Sequence, residues 1–144
     1  MIAIDRRFGE RDPVRDYLDR PGSYALAIRG GEVLCVEEGA GLFLPEKDRG
    51  GHEGDETPVE ALHREMLEET GWTIEIDGKF GVAEEFFPLR NGRGLRKVCH
   101  LYRVTLQQRR RPPEATDCPI SWLAPSVAEQ RLYQEAFQWM VAES

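Results

Sequence analysis

A domain of the α/β or α+β class, built on a mixed sheet, is predicted by three observations. Short apolar runs alternate with glycine and proline turns, one amphipathic helix falls between strands, and a long strand-like stretch runs from Arg96 to Leu106. The 144 residues are 40% hydrophobic and 31% charged, enough for the core of one domain and too few for a second. Residues 1–22 are polar and irregular and are expected to form an N-terminal arm, with a short helix near Val14 to Leu18. Residues 23–144 are expected to form the single domain.

The elements follow in order. Tyr24 to Ile28 and Val33 to Val36 are apolar runs joined through Gly30-Gly31, a two-residue hairpin signal. Leu42-Phe43-Leu44 predicts a third strand. Thr57-Pro58-Val59-Glu60 combines an N-cap threonine, a proline at the first helical position and a glutamate three residues after the cap, so a helix starts at Pro58. Val59, Leu62 and Met66 give it an apolar side, and Gly71 sits where a left-handed residue closes a helix at Thr70. Trp72 to Ile76 and Lys79 to Phe87 predict strands separated by Asp77-Gly78. Asn91-Gly92 marks the turn into the long strand, and Trp122-Leu123 is a short one. Ser126 is expected to cap one final helix running to about Ala142, with Val127, Leu132, Ala136 and either Trp139 or Met140 turned inward.

The middle helix carries the chemistry. Arg64, Glu65, Glu68 and Glu69 crowd one side of it, and Glu65 lies three and four residues before the other two carboxylates. Like charges at that spacing repel. Hard divalent cations take oxygen ligands, and magnesium in particular is held by one or two carboxylates together with substrate phosphates, which gives such a cluster a use.

Gly50, Glu56, Arg64, Glu65, Met66, Glu68, Glu69, Gly71 and Trp72 fill, in register, all nine specified positions of G-x5-E-x7-R-E-U-x-E-E-x-G-U, where U is bulky and apolar. The chain therefore resembles the Nudix hydrolase family, of the MutT-like kind, from Ser23 onward. The residues Glu46 to Arg49 intervene between Pro45 and Gly50, so the loop entering the helix departs from the common family shape. The resemblance implies an α/β/α sandwich around a mixed sheet. It also implies metal-dependent hydrolysis of the diphosphate bridge in a nucleoside diphosphate linked to another moiety.

On that resemblance Gly50, Glu65, Glu68 and Glu69 are the expected ligands of Mg2+, or of Mn2+, the glycine through its carbonyl. Glu65, Arg64 and Glu56 are the expected catalytic group, with Arg64 orienting the carboxylates through its planar fork. Members differ in their general base. Glu65 is the candidate within the motif, and Glu84, Glu85, Glu114 and Asp117 are candidates outside it. His52 and His100 are expected to be structural or to line a pocket.

The resemblance implies a small nucleoside diphosphate derivative as substrate, expected to be a nucleoside triphosphate, canonical or oxidised. ADP-ribose or a nucleotide sugar is the alternative, and a non-catalytic nucleotide-binding module the alternative of another kind. Phe86, Phe87, Tyr102 and Trp122 are the aromatics able to read a base, and Arg90, Arg93, Arg96 and Lys97 form a basic cluster at a hairpin expected to face solvent. A homodimer is compatible with the family.

The net charge of −7 argues against nucleic acid as a partner, because backbone binding rests on a basic patch. Arg109-Arg110-Arg111 before Pro112-Pro113 is expected to be a solvated loop. No apolar run approaches the roughly 20 residues that cross a bilayer, and the first residues carry Asp5, Arg6 and Arg7 in place of an apolar segment, so a cytoplasmic protein with no membrane partner is expected. Cys35, Cys99 and Cys118 lack paired spacing and are expected to be reduced packing residues.

Overall fold

The computed structural model of the chain describes residues 2–39, 41–45, 54–112 and 119–144. Along the chain come β1 (Arg6–Phe8), β2 (Tyr17–Arg29), β3 (Glu32–Glu38), β4 (Gly41–Phe43), α1 (Pro58–Thr70), β5 (Trp72–Pro88), β6 (Gly94–Arg109), β7 (Ile120–Leu123), α2 (Pro125–Arg131) and α3 (Glu135–Ala142). The strands form one sheet in the order β1-β5-β6-β2-β3-β4, with β7 on β3. Pairs β1–β5 and β2–β6 are parallel and the others antiparallel, so the sheet is mixed.

Side chains alternate across a strand, and β2 therefore feeds two cores. Tyr24 and Leu26 pack with Cys35, Leu101, Phe137 and Met140 on the α3 side. Ala25 and Ala27 pack with Leu34, Leu62, Met66 and Val104 on the α1 side. This is the expected α/β/α sandwich. The first hairpin also forms as the residues dictate: Ile28 pairs with Val33, Arg29 with Glu32, and Gly30 and Gly31 take φ of 59° and 78°, which a side chain would resist.

Several local expectations are corrected. The expected arm is part of the sheet: Arg6–Phe8 pair with Ala83–Glu85, and the boundary at residue 22 falls inside β2, where Pro21 and Gly22 continue the ladder beside Val98 and Cys99. Val14 to Leu18 form no helix, because β2 already begins at Tyr17. Asp77-Gly78 is an irregularity inside one long β5, with the register shifting between Ile76 and Gly78, and Asp77 accepts a 2.7 Å hydrogen bond from Thr105. Val59, expected inward, is 37% exposed.

The single final helix is two, capped at Ala124 ahead of Pro125 and not at Ser126. Leu132 turns extended, bridges to Leu42, and the next amide, Tyr133 N–H, donates to the Leu42 carbonyl at 2.8 Å. Val127 is exposed, whereas Leu132, Ala136 and Met140 are buried as expected.

Glu85 holds the second piece in place. Its buried carboxylate accepts hydrogen bonds from the backbone N–H groups of Glu135 and Ala136, both at 3.1 Å, at the start of α3. Burial pushes its pKa above the usual 4.5, against the pull of those two amides and of Lys97. The folded chain therefore keeps this proton to a higher pH than the unfolded chain does, and the stability linked to it is lost as pH rises through the raised pKa. We expect wild type to lose ground to Glu85→Gln as pH rises from about 4.5, measured as the difference between their urea-unfolding free energies. A difference that is flat or of opposite slope would remove the assignment.

Candidate active site

The helix α1 is fixed at both ends by chemistry visible in its own residues. At the start, Thr57 Oγ1 accepts from Glu60 N–H at 3.1 Å while Glu60 Oε1 accepts from Thr57 N–H at 3.0 Å, and the hydrogen bonds to Thr57 hold the Glu60 carboxyl below its ordinary pKa. At the end, Gly71 takes φ of 79°, and its N–H donates to the Leu67 carbonyl at 2.9 Å.

A third fastening was not legible in the sequence. Arg111, expected in a solvated loop, places its guanidinium on the terminal carbonyls of α1, donating to Leu67 O at 3.2 Å and to Glu68 O. A cation there also opposes the negative end of the helix dipole. Arg110 N–H donates to Gly71 O at 2.7 Å, so the end of β6 is stitched to the helix terminus. The only sequence signal was an arginine following a strand that pairs with the residues after the helix.

Between these fastenings, Arg64 gathers the carboxylates. Its Nε and Nη2 donate to the two oxygens of Glu56 at 2.7 and 2.9 Å, a planar fork-on-fork pair. Nη1 reaches Glu68 Oε2 at 3.3 Å, and Nη2 lies 3.6 Å from Glu65 Oε1. The three helix carboxylates differ in exposure: Glu65 is fully buried, Glu69 is 7% exposed and the Glu68 side chain 39%. The three carboxylates therefore share a side of the helix without sharing an environment, Glu65 and Glu69 being buried one helical turn apart and Glu68 reaching solvent.

Buried carboxylates on successive turns need compensating positive charge, and Arg64 lies 3.6 Å from one of them, Glu65. Their oxygens are the hard donors that Mg2+ prefers, so the donor set fits a divalent cation. Among the described residues no group of three or more His, Cys, Asp or Glu side chains stands close enough to enclose one. Gly50 lies outside the described residues, as do His52, Glu114, Asp117 and Cys118.

The candidates beyond the helix sort clearly. Glu84 is clamped by Arg7 at 2.8 Å and Arg96 at 2.6 Å, and Glu85 is the anchor of α3, so both carboxylates are engaged in holding the fold. His100 is buried on β6, and Cys35 and Cys99 are buried free thiols; burial pushes the Cys35 thiol up to about 11, despite Arg131, leaving it a packing residue. Among the expected base-reading aromatics, Tyr102 belongs to the α1-side core, and Phe86 packs edge-on against Tyr17 at 5.3 Å.

Phe87 does line a cavity, of about 200 Å³, together with Phe43, Tyr133, Glu38, Lys97 and Gln134. Phe87 and Tyr133 are near-parallel at 6.1 Å and 18°, and Phe43 lies 5.5 Å from Tyr133. Lys97, expected in a solvent-facing cluster, is 6% exposed, with its ammonium 5.5 Å from the Tyr24 ring. Tyr133 and Gln134 were missed because the sequence reads as one continuous helix there, whereas the chain breaks and presents them to the cavity.

The family described as the NUDIX domain matches the chain over residues 19–141, which includes the helix, the arginine fork and the cavity. The chain belongs to the Nudix family. It is a hydrolase acting on pyrophosphate bonds, in a family that acts on nucleoside diphosphate derivatives and in general uses divalent metals. Solved structures share its fold at low identity. An Escherichia coli dihydroneopterin triphosphate pyrophosphohydrolase superposes with a TM-score of 0.65 at 15% identity, covering 90% of this chain and 97% of that one. A UDP-X diphosphatase gives 0.64 at 18% identity, covering 91% of this chain and 66% of the other. A MutT Nudix hydrolase from Burkholderia pseudomallei gives 0.61 at 22%, covering 88% and 97%. No curated protein matches the sequence. No helix among the described residues is long and apolar enough to cross a membrane.

Proposed function

We propose that this Nudix chain cleaves the diphosphate bridge of a nucleoside triphosphate, canonical or oxidised, with the base held between Phe87, Tyr133 and Phe43. The observation that carries the reading is the pairing of two features in one stretch of chain. Phe43, a wall of the cavity, ends β4, which is the last strand before Glu56 and the carboxylate helix in the sequence. At about 200 Å³ the cavity is smaller than the roughly 300–1,000 Å³ that encloses a whole drug-sized ligand, so it suits one flat group and leaves the phosphates outside. Aromatic faces offer stacking, and Glu38, Lys97 and Gln134 offer both acceptors and donors to a base edge.

Each residue then has a role. Glu65, Glu68 and Glu69, with the Gly50 carbonyl, would hold Mg2+ or Mn2+. The bound cation supplies charge neutralisation at the phosphates and acidifies water. Arg64 keeps Glu68 and Glu65 in place through the fork to Glu56, and Arg111 keeps the end of the helix from fraying. Glu65 is the base within the motif. With Glu84 and Glu85 engaged elsewhere, Glu114 and Asp117 are the carboxylates left to serve outside it. A soluble cytoplasmic enzyme acting on a small molecule is the corresponding setting.

The test is release of phosphate and pyrophosphate, with magnesium or manganese, from canonical and oxidised nucleoside triphosphates, ADP-ribose, nucleotide sugars and dinucleoside polyphosphates. Turnover is expected for triphosphates. Loss of one stacking face in Tyr133→Ala should raise KM roughly 5- to 150-fold, as stacking is worth about 1–3 kcal/mol per base, with kcat little changed. Preference for ADP-ribose would overturn the substrate assignment. Binding without turnover of anything would make the chain a sensing module.

A further inference from the structure

A second cavity, of about 570 Å³, lies at the end of the sheet where the β2–β3 hairpin meets the start of β5, and we propose that it binds a free purine nucleotide, guanine in preference to adenine. Its described lining includes none of Glu56, Arg64, Glu65, Glu68 or Glu69, so it is separate from the carboxylate helix. Its volume falls in the range of roughly 300–1,000 Å³ usual for small-molecule sites.

The walls are built by strand register. Trp72 on β5 stands opposite Arg109 on β6, Arg29 on β2 opposite Glu32 on β3, and Leu34 on β3 opposite Trp122 on β7. Side chains placed by ladder pairing are held more rigidly than side chains on loops, which favours a preformed site. Two of the three tryptophans of the chain line this one cavity, while Trp139 packs on Phe80 and Phe8. Neither Trp72 nor Trp122 is fully buried, so aromatic surface stays available.

The chemistry of the lining narrows the ligand. Arg29 lies over the Trp72 ring at 5.0 Å, a contact that holds a guanidinium, itself suited to phosphate, beside an aromatic face. With Arg109 it makes the cavity locally cationic in a chain of net charge −7. The indole faces suit a planar base, the arginines a phosphate. Glu32 is an acceptor-only carboxylate, which matches the paired N–H groups on the guanine edge, a pair that adenine lacks. The acidic chain as a whole disfavours a polynucleotide, which leaves a free nucleotide as the occupant.

The experiment titrates the full chain with 5′-GMP in EDTA, following tryptophan fluorescence and calorimetry. A monophosphate has no anhydride to cleave, and chelation removes the metal, so the outcome is independent of hydrolysis. Saturable binding is expected, about tenfold or more tighter than for 5′-AMP. Trp122→Leu and Arg109→Gln should each weaken it by about tenfold or more. Tyr133→Ala should leave the guanine-selective component that Arg109→Gln removes in place, which separates this cavity from the one at Phe87. Arg109 is exposed near the end of β6, so its variant keeps the fold even where Trp122→Leu does not. No saturable binding, no preference for guanine, or binding abolished by Tyr133→Ala and kept by Arg109→Gln would overturn the proposal.

Discussion

Glu69→Gln should lower kcat by roughly 100- to 10,000-fold, about 2.7–5.4 kcal/mol of barrier at about 1.36 kcal/mol per tenfold. The substitution keeps the shape of the side chain, removes its charge and replaces one acceptor oxygen by an NH2 donor. Glu69 is 7% exposed, so solvent cannot substitute for a lost carboxylate oxygen. Glu68→Gln should behave similarly in turnover but more mildly in stability, because its side chain is 39% exposed and its contact with Arg64 is a 3.3 Å surface-type pair. Both should need more magnesium or manganese to reach half-maximal rate. The checks are steady-state kinetics across a metal titration, with thermal unfolding to show that the chain still folds. Rates like those of wild type in a folded Glu69→Gln would remove it from the metal site.

The division of roles in the helix is partly legible in the amino-acid sequence. Local signals with a fixed physical requirement translate directly. The Thr57-Pro58-Glu60 start and the Gly71 stop define α1 because caps and left-handed residues depend only on their immediate neighbours. Gly30-Gly31 makes its hairpin for the same reason. What fails are judgements of burial and continuity, which depend on residues distant in sequence. Spacing puts Glu65, Glu68 and Glu69 on one side of the helix but does not reveal that Glu65 and Glu69 are buried while Glu68 stays open to solvent. The break between α2 and α3 cannot be seen in a continuous helical pattern, because it is made by Leu42, which captures Tyr133 N–H, and by Glu85, which caps the next helix from 50 residues away. That break is what turns Tyr133 and Gln134 into cavity residues.

The same distinction separates the arginines. Arg64 can be assigned from its spacing, and its fork to Glu56 has the geometry that spacing allows. Arg111 cannot, since its partners are carbonyl oxygens of a helix 43 and 44 residues earlier. Together the two arginines fix α1 from opposite directions: one binds its carboxylates, the other its backbone. Holding catalytic side chains by such supporting contacts matters because sub-ångström displacement is enough to degrade a metal site.

Gly71→Ala brings both fastenings into a single test. A side chain at φ of 79° costs about 1–2 kcal/mol in the left-handed region. The added Cβ would in addition collide with the Arg111 carbonyl oxygen, a backbone atom that cannot swing aside. Relief requires either the helix terminus or the end of β6 to move, which separates Arg111 from the Leu67 and Glu68 carbonyls. The melting temperature should fall on the order of 5 °C or more, at about 2–4 °C per kcal/mol for a chain of this size. Because Glu68 and Glu69 occupy the disturbed turn, kcat should fall as well, even though Gly71 touches no reacting atom. Gly78→Ala is the control: its Cβ would meet nothing within 4 Å, and it should stay within about 0.5 kcal/mol of wild type. A Gly71→Ala chain that melts later or turns over as wild type would show that the contact between β6 and the helix terminus does not position the carboxylates.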